Sequence, residues 1–563
     1  MRTQFPTPFE LGNGNQTTTW QDCIAYYQQL AHAFPQVLKF EQIGFSDAGY
    51  PLHAGVITAD GEFERQNLQQ QGRVVFFNNN GIHPGEPEGV DACMALVRDF
   101  CTQPAKLASL GTTVFLFIPL YNVDGANNRA NTSRVNQDGP EQFGFRGNAL
   151  HLDLNRDFIK CDSLAAQAFN RFFSAWSPDV MVDTHTSNGA DYQYTMTLIP
   201  TQSDKLGGEL GEFLRSQMLP AIYQQMAERG WPTCPYVNPV KEIPDDGIAD
   251  FLEVPRFSTG YAALHHTIGF MPETHMLKPY ADRYHSMRAL VETVLDFTLK
   301  HGQQIQALRR AARAAIQAGT EHAVQWEIDL QQADSFLFKG YQAGYKASVL
   351  GDYQRLYYDR TQPFEKPIPF YNRARVVQQV KVPKAYLIPQ AWRLVIERLQ
   401  ANGLQLQRLA SKQSIQVESY RVQSVQARAH AYEAHMFFDQ LELTTQVETL
   451  EFNVGDYVLD LAQDAARYAI ETLEPLGHDS FFRWGFFNSV LEKKEGYSDY
   501  VFEDTASELL SKEPELAQKF AEWKLLNPEK LNQQSAILDF IYHHAVQYRE
   551  PEWRRYPIYR IVA

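Results

Sequence analysis

The sequence predicts an α/β fold: a mixed, largely parallel twisted sheet flanked by helices, with a second mixed α+β domain at the C-terminal end. Three observations lead there. Over the first three hundred residues, strand-length apolar runs alternate with stretches of helical periodicity, the pattern of strand–helix–strand crossovers. Polar residues gather where those runs end, the edge at which ligands sit in open α/β sheets. Near residue 320 the texture changes to period-two stretches and later returns to helix. At 563 residues the chain exceeds the size at which one core stops growing, so it divides here into residues 1–320 and residues 321–563.

The elements follow in order. "GFSDAG" is succeeded by the strand-like run "LHAGVIT", which reads as a hairpin rather than the strand–turn–helix that a nucleophilic serine elbow requires. "RVVFFNNN" is a buried strand, followed by a loop and a helix around residues 94–100. "TTVFLFIPLY" is the next strand and residues 165–176 the next helix; "DVMVDTH" is a strand again. Residues 281–317 read as helix, stopped at Gly319. Beyond lie the strand-like "WEIDLQQADSFLF", "RVVQQVKVP", "SIQVESYRVQSVQA" and "TLEFNVGDYVLDL", and then a helical C-terminal stretch.

Composition removes several classes of function. A net charge of -15 without a Lys/Arg block argues against nucleic-acid or anionic-membrane surfaces. The apolar runs fall far short of the roughly 20 residues a membrane span needs. "MRTQFPTPFE" has no apolar signal region, so the expected location is cytoplasmic, or periplasmic or secreted if a leader was removed. Five scattered cysteines without a CxxC pair read as reduced thiols.

The chemistry starts at "NNNGIHPGEPEG", where His83 and Glu86 stand three apart in the turn between strand and helix. With 16 histidines and 66 acids, roughly two such pairs are expected by chance, so the pair alone decides little. Imidazole and carboxylate are, however, ordinary zinc ligands, and a catalytic zinc takes three protein donors while leaving a place for water. His185, the last residue of a buried strand, supplies a third donor on the same sheet edge. Between them, residues 121–158 form a long loop rich in Asn, Asp, Gly and Arg, and loops of that length are usually functional or disordered. In "HLDLNRDF", alternation suggests a short strand aiming Asp153 and Asn155 to one side, with Arg156 as a natural anion clamp.

In this order, His83 and Glu86, "NVDG", Arg146 with Asn148, "DLNRDF", His185 and the late Glu273 in "IGFMPETH" resemble the zinc carboxypeptidase A superfamily over roughly residues 20–300. The resemblance implies one zinc bound by His83, Glu86 and His185, with Asp153 orienting the His83 ring. It implies that Asn155 and Arg156 hold the free C-terminal carboxylate of a peptide, and that Arg146 polarises the scissile carbonyl, with Arg129 and Arg134 as competitors. Glu273 becomes the general base and then the acid. The family's capping tyrosine has no counterpart at the usual distance; Tyr261 is the nearest stand-in, equally readable as a core aromatic. His275 is a fourth polar group or a structural one. The expected activity is that of a metallocarboxypeptidase. The alternatives are an amidohydrolase acting on N-acyl amino acids, which also carry a free carboxylate, and a silent peptide-binding relative.

Overall fold

In the computed structural model, which describes residues 4–548 and 550–562, the first three residues of the N-terminal decade lie outside the description. Strands β1 (Leu38–Phe45) and β2 (Pro51–Ile57) pair antiparallel around Ser46. The Ser46 hydroxyl oxygen accepts from the Tyr50 N–H at 3.1 Å, so this serine shapes a hairpin and carries no nucleophilic role. The chain continues through β3 (Val75–Asn79), α1 (Glu88–Thr102), β4 (Val114–Ile118) and α2 (Leu164–Trp176). There follow β5 (Val180–Asp183), β6 (His185–Ser187), β7 (Met196–Pro200), β8 (Thr233–Pro235) and β9 (Ile248–Ala249). Helix α3 (Ser258–Leu264), strand β10 (Ile268–His275) and helix α4 (Tyr280–Ala314) complete the N-terminal part.

The main sheet has the order β1-β2-β4-β3-β5-β10-β7-β8, with β6 beside β10. Its middle is parallel, β3 running with β4 and β5, and β10 with β5 and β6. Antiparallel pairs occur at β1/β2, β2/β4 and β7/β10. The central strands are buried throughout, which is why they read as unbroken apolar runs rather than alternating ones. Parallel pairing brings the carboxyl ends of β3, β5 and β10 to one edge. The loop after β3 then delivers His83 and Glu86 beside His185 and Glu273.

Two local expectations change. Helix α4 ends at Ala314 rather than running to Gly319, whose φ of 87° and N–H bond to the Val382 carbonyl (2.8 Å) place it in a turn. "HLDLNRDF" is not a strand. Leu154–Arg156 form a 3₁₀ turn, because the Asp153 carboxylate accepts from the Asn155 N–H at 2.8 Å and offers the backbone an alternative to extension.

Beyond residue 320, Asp334–Ala347 and Gln354–Tyr371 form a long antiparallel hairpin. The end of its second strand pairs with β9, Phe370 opposite Ile248 and Tyr371 opposite Ala249. A six-stranded antiparallel sheet includes Ala385–Ile388, Gln413–Ala427 and Phe438–Phe452. Helices Asp499–Lys512, Pro514–Leu526 and Gln534–His544 enclose a small core of their own around Phe502, Leu538 and Ile541. The largest apolar cluster does not stop at residue 320, since it joins Phe77 and Phe173 to Tyr386, Tyr468 and Trp484. Among the described residues no helix is long and apolar enough to cross a membrane.

Candidate active site

The turn after β3 is tight at both of its small residues. A Cβ on Gly85 would meet the Arg134 side chain at 2.7 Å, and a Cβ on Gly89, at the start of α1, would overlap the Thr184 hydroxyl. Helix and strand thus approach closely, and His83 and Glu86 lie 2 % exposed in the seam. His83 Nδ1 stands 3.3 Å from one Glu86 oxygen, His185 Nδ1 3.2 Å from the other, and the two Nδ1 atoms 3.2 Å apart. Donors bound at about 2.0–2.1 Å to a tetrahedral zinc are separated by about 3.4 Å. The three residues therefore form a group able to hold a metal ion, and the chemistry of the donor set fits zinc.

The outer ring nitrogens are fixed. His83 Nε2 lies 2.8 Å from Asp153 and His185 Nε2 2.8 Å from Asp183, so carboxylates turn both Nδ1 atoms inward. Asp183 is itself held by the Asn79 side-chain amide at 2.9 Å. Burial alone would raise the Glu86 carboxyl, but Arg134 and His83 outweigh it and hold it well below the usual carboxylate range. It is kept in the form that binds metal. The Asp153 carboxyl is depressed in the same way, burial being overcome chiefly by His83 and by Arg146.

Glu273 reaches the site through strand register. It pairs with His185 across β10/β6 and with Thr197 across β10/β7. Its strand-face partner Met271, two residues earlier, lines the same cavity. Withdrawal from water pushes the Glu273 carboxyl up to about 8 against the pull of His185, with the Glu86 charge adding to the rise.

A cleft of about 340 Å³ collects His83, Glu86, His185, Glu273, Arg146, Asn155 and Arg156. Arg146 donates to Asp153 at 2.8 Å and approaches Glu86 at 3.4 Å. Arg134 also faces this point, donating to Glu86 at 2.6 Å, whereas Arg129 is spent on the Thr18 and Gln142 carbonyls. Asn155 Oδ1 accepts from the Ser258 N–H at 3.0 Å, which fixes its amide at the N-terminus of α3. The Arg156 guanidinium sits 4.2 Å over the Phe257 ring and donates to the Asn155 carbonyl at 2.7 Å.

Tyr261 is not in this cleft. It is fully buried on α3 among Phe158, Phe173 and His265, and its hydroxyl donates to Asn402 at 2.6 Å, so it is the core aromatic of the two readings. The tyrosine that does line the cleft is Tyr236. His275 is structural, its Nε2 lying 2.9 Å from the Ala190 carbonyl and its Nδ1 accepting from the Leu277 N–H at 3.1 Å. Sequence reading passed over Asp183, Tyr236 and Glu253, and gave Arg134 only as a competitor of Arg146. Only Asp183 left a local signal, a carboxylate two residues before His185 on the same strand. Among the described residues, a larger cavity of about 680 Å³ lined by Arg73, Arg309 and Arg313 holds no cluster that could bind a metal.

Residues 23–192, which include every cleft residue named so far up to His185, match the family model described as zinc carboxypeptidase. The chain is 25% identical over 434 residues to Carboxypeptidase 2 of Trichophyton tonsurans, covering 72% of each chain, and 24% identical over 438 residues to its namesake in Trichophyton equinum, again with 72% coverage of each. A metallo-carboxypeptidase structure from Burkholderia cenocepacia aligns at 14% identity and a TM-score of 0.37, over 50% of this chain and 68% of that one. That last likeness is too remote to assign any residue a role. Residues 23–192 thus carry a zinc carboxypeptidase domain, and the matches support a hydrolase.

Proposed function

We propose that the protein is a zinc-dependent carboxypeptidase that removes the C-terminal residue of peptides, with one zinc held by His83, Glu86 and His185. The observation that carries this reading is the convergence of that metal-holding group, a carboxylate outside it (Glu273) and an anion clamp (Asn155, Arg156) in one cleft. When bound there, zinc supplies Lewis acidity and lowers the pKa of its water to about 7.

The chain's own residues do the remainder. Arg156 and the Asn155 amide, whose Nδ2 has no hydrogen-bond partner among the described residues, bind the substrate's terminal carboxylate and fix the scissile bond at a set distance from the metal group. Arg146 and Arg134 place positive charge where the carbonyl oxygen becomes negative, a contribution that grows as the cleft excludes water. Glu273 accepts the proton of the attacking water and delivers it to the departing amine nitrogen. Its raised pKa suits it to hold that proton between the two steps. Residues 321–563 act as an accessory part that braces the loop carrying Phe251, Glu253 and Phe257, through Tyr371 on Asp250 and Asp479 on Arg256. The five buried, unpaired cysteines suit a reducing compartment, in keeping with a cytoplasmic location.

The test is hydrolysis of a blocked dipeptide against its C-terminal amide by zinc-loaded protein, with metal content measured alongside. Preference for the free acid is expected. Equal rates on both would remove the exopeptidase reading, and cleavage confined to N-acyl amino acids would move the protein to the amidohydrolases.

A further inference from the structure

Between the strands Gln413–Ala427 and Phe438–Phe452 the accessory part makes a tip that reaches Asp153. Tyr432 and His435 close this tip with two backbone bonds, the Tyr432 N–H donating to the His435 carbonyl at 2.8 Å and the His435 N–H to the Tyr432 carbonyl at 3.0 Å. Only Glu433 and Ala434 lie between them, with φ of 49° and 66°. A two-residue turn with both φ positive is a type I′ turn, which favours Asn-Gly because a Cβ is crowded in the left-handed region. Glu and Ala therefore hold this turn under strain. Strain of that kind persists only where the surroundings over-determine it, and it gathers at functional sites.

The surroundings do over-determine it. The His435 ring is held at both nitrogens, Nδ1 2.7 Å from the Trp484 carbonyl and Nε2 2.7 Å from Asp162 in the N-terminal part, and the Tyr432 ring stacks on Trp484. What the turn presents from there is the Glu433 carboxylate, whose Oε2 accepts from the Asp153 N–H at 2.9 Å. It does so beside a like charge. Burial raises the Glu433 carboxyl and the Asp153 charge adds to the rise, against the pull of the Asp153 N–H. A turn shaped for the hairpin alone would need neither the strained pair nor an acid at this point.

Two tasks of the cleft converge on Asp153. Its carboxylate orients the His83 ring and accepts from the Asn155 N–H, and its carbonyl accepts from the Arg156 N–H at 2.9 Å. Where its backbone sits thus decides where Asn155 and Arg156 sit. We infer that Glu433 is a positioning residue: reaching in from 280 positions along the chain, it fixes the Asp153 backbone and through it the turn that carries the anion clamp. The inference rests on the carboxypeptidase reading, from which the clamp takes its role.

The experiment uses the full chain loaded with zinc and compares a blocked dipeptide with its C-terminal amide, which cannot use the clamp as a carboxylate does. Glu433→Ala is expected to raise KM for the free acid about 10-fold, the lower end of what a hydrogen bond to a charged group is worth, with kcat within about 2-fold and the amide unaffected. Glu433→Gln keeps an acceptor oxygen and should restore the parent KM. Glu433→Asn combined with Ala434→Gly supplies the residues that a type I′ turn favours on a side chain one methylene too short for Asp153. Its melting temperature should equal or exceed the parent's while the free acid shows the same rise in KM, a pairing that a merely structural turn does not give. Parent-like KM in that double variant, or acid and amide impaired alike, would overturn the inference and leave the carboxypeptidase reading standing. Equal rates on acid and amide in the parent would remove both.

Discussion

On the metal-holding wall of the cleft, the contacts that fix each donor come mostly from the main sheet and its adjoining loops: Asp183 two residues before His185, Asp153 against His83, Asn79 behind Asp183. On the opposite wall, the segment carrying Phe251, Glu253 and Phe257 hangs on residues from far along the chain. Tyr371 accepts from the Asp250 N–H at 2.9 Å, and Asp479 takes both the Arg256 N–H (2.8 Å) and its guanidinium (2.8 and 2.7 Å). Arg256 is further covered by Phe437 and Trp484. The walls meet at Asp153, whose N–H donates to Glu433 at 2.9 Å. The difference teaches how the labour is divided. On the proposed function, the metal-holding group is set by a strand register that slips only if the sheet does, whereas the opposite wall depends on contacts with residues beyond 320.

The sharpest break between the walls is at Glu273. Glu273→Gln removes the carboxylate proposed to carry the proton and leaves the three proposed metal donors in place, so kcat is expected to fall about 10²- to 10⁴-fold while bound zinc and KM hold. Atomic absorption and steady-state kinetics on the same preparation check it. Loss of zinc together with rate would mean that this carboxylate belongs to the metal group instead.

Asp479→Ala attacks the other wall. It strands the buried Arg256 guanidinium without its partner, a loss worth about 3–5 kcal/mol. Denaturant unfolding is expected to show that loss. Turnover at saturating substrate should persist in whatever fraction remains folded, with KM raised as that wall loosens. A variant with normal stability but no zinc would contradict the division drawn above.

Asp153→Asn probes the metal wall more gently. The amide still reaches His83 but no longer carries the charge that makes the ring a better donor, and such changes cost about 10- to 100-fold in metal affinity. Competition with a zinc chelator measures it. The same change at Asp183 should act on His185 to a like degree, and a null result at both would mean that ring orientation here needs no carboxylate.

What was legible in the sequence follows the same line. His83, Glu86 and His185 could be read because each sits where a buried run ends, and local pattern fixes that. Arg134 could not be chosen over Arg129, because an irregular loop has no period from which to infer direction. Glu253 was silent because its place in the cleft depends on the loop before α3 folding back onto Thr259, a tertiary fact. Tyr261 stayed open between capping tyrosine and core aromatic because distance along the chain cannot decide between them. The run Ala262, Ala263, Leu264 that follows it was the better guide, since it makes α3 a buried helix and carries Tyr261 into the core. The 3₁₀ turn at Leu154–Arg156 escaped because alternation of Leu with polar residues imitates a strand when an Asp caps its own backbone.

The smallest expected effect lies behind the metal wall, in α1. Asp91 is fully buried, accepting from the Thr18 N–H at 3.3 Å and from the Tyr280 hydroxyl, and burial pushes its carboxyl up from 3.8 to about 6. A carboxyl whose folded pKa lies above its unfolded one contributes stability that is full below pH ~4 and is lost as pH rises through about 6. Asp91→Asn keeps an oxygen for both donors and has no charge to bury. Its melting temperature should match the parent at pH ~4 and exceed it above pH ~6, by an amount equivalent to about 1 kcal/mol, within the ceiling of about 3 kcal/mol that such a shift allows. If the two curves stay parallel from pH ~4 to ~7, Asp91 is ionised in the folded chain, and the hydrogen bonds from Thr18 and Tyr280 outweigh its burial.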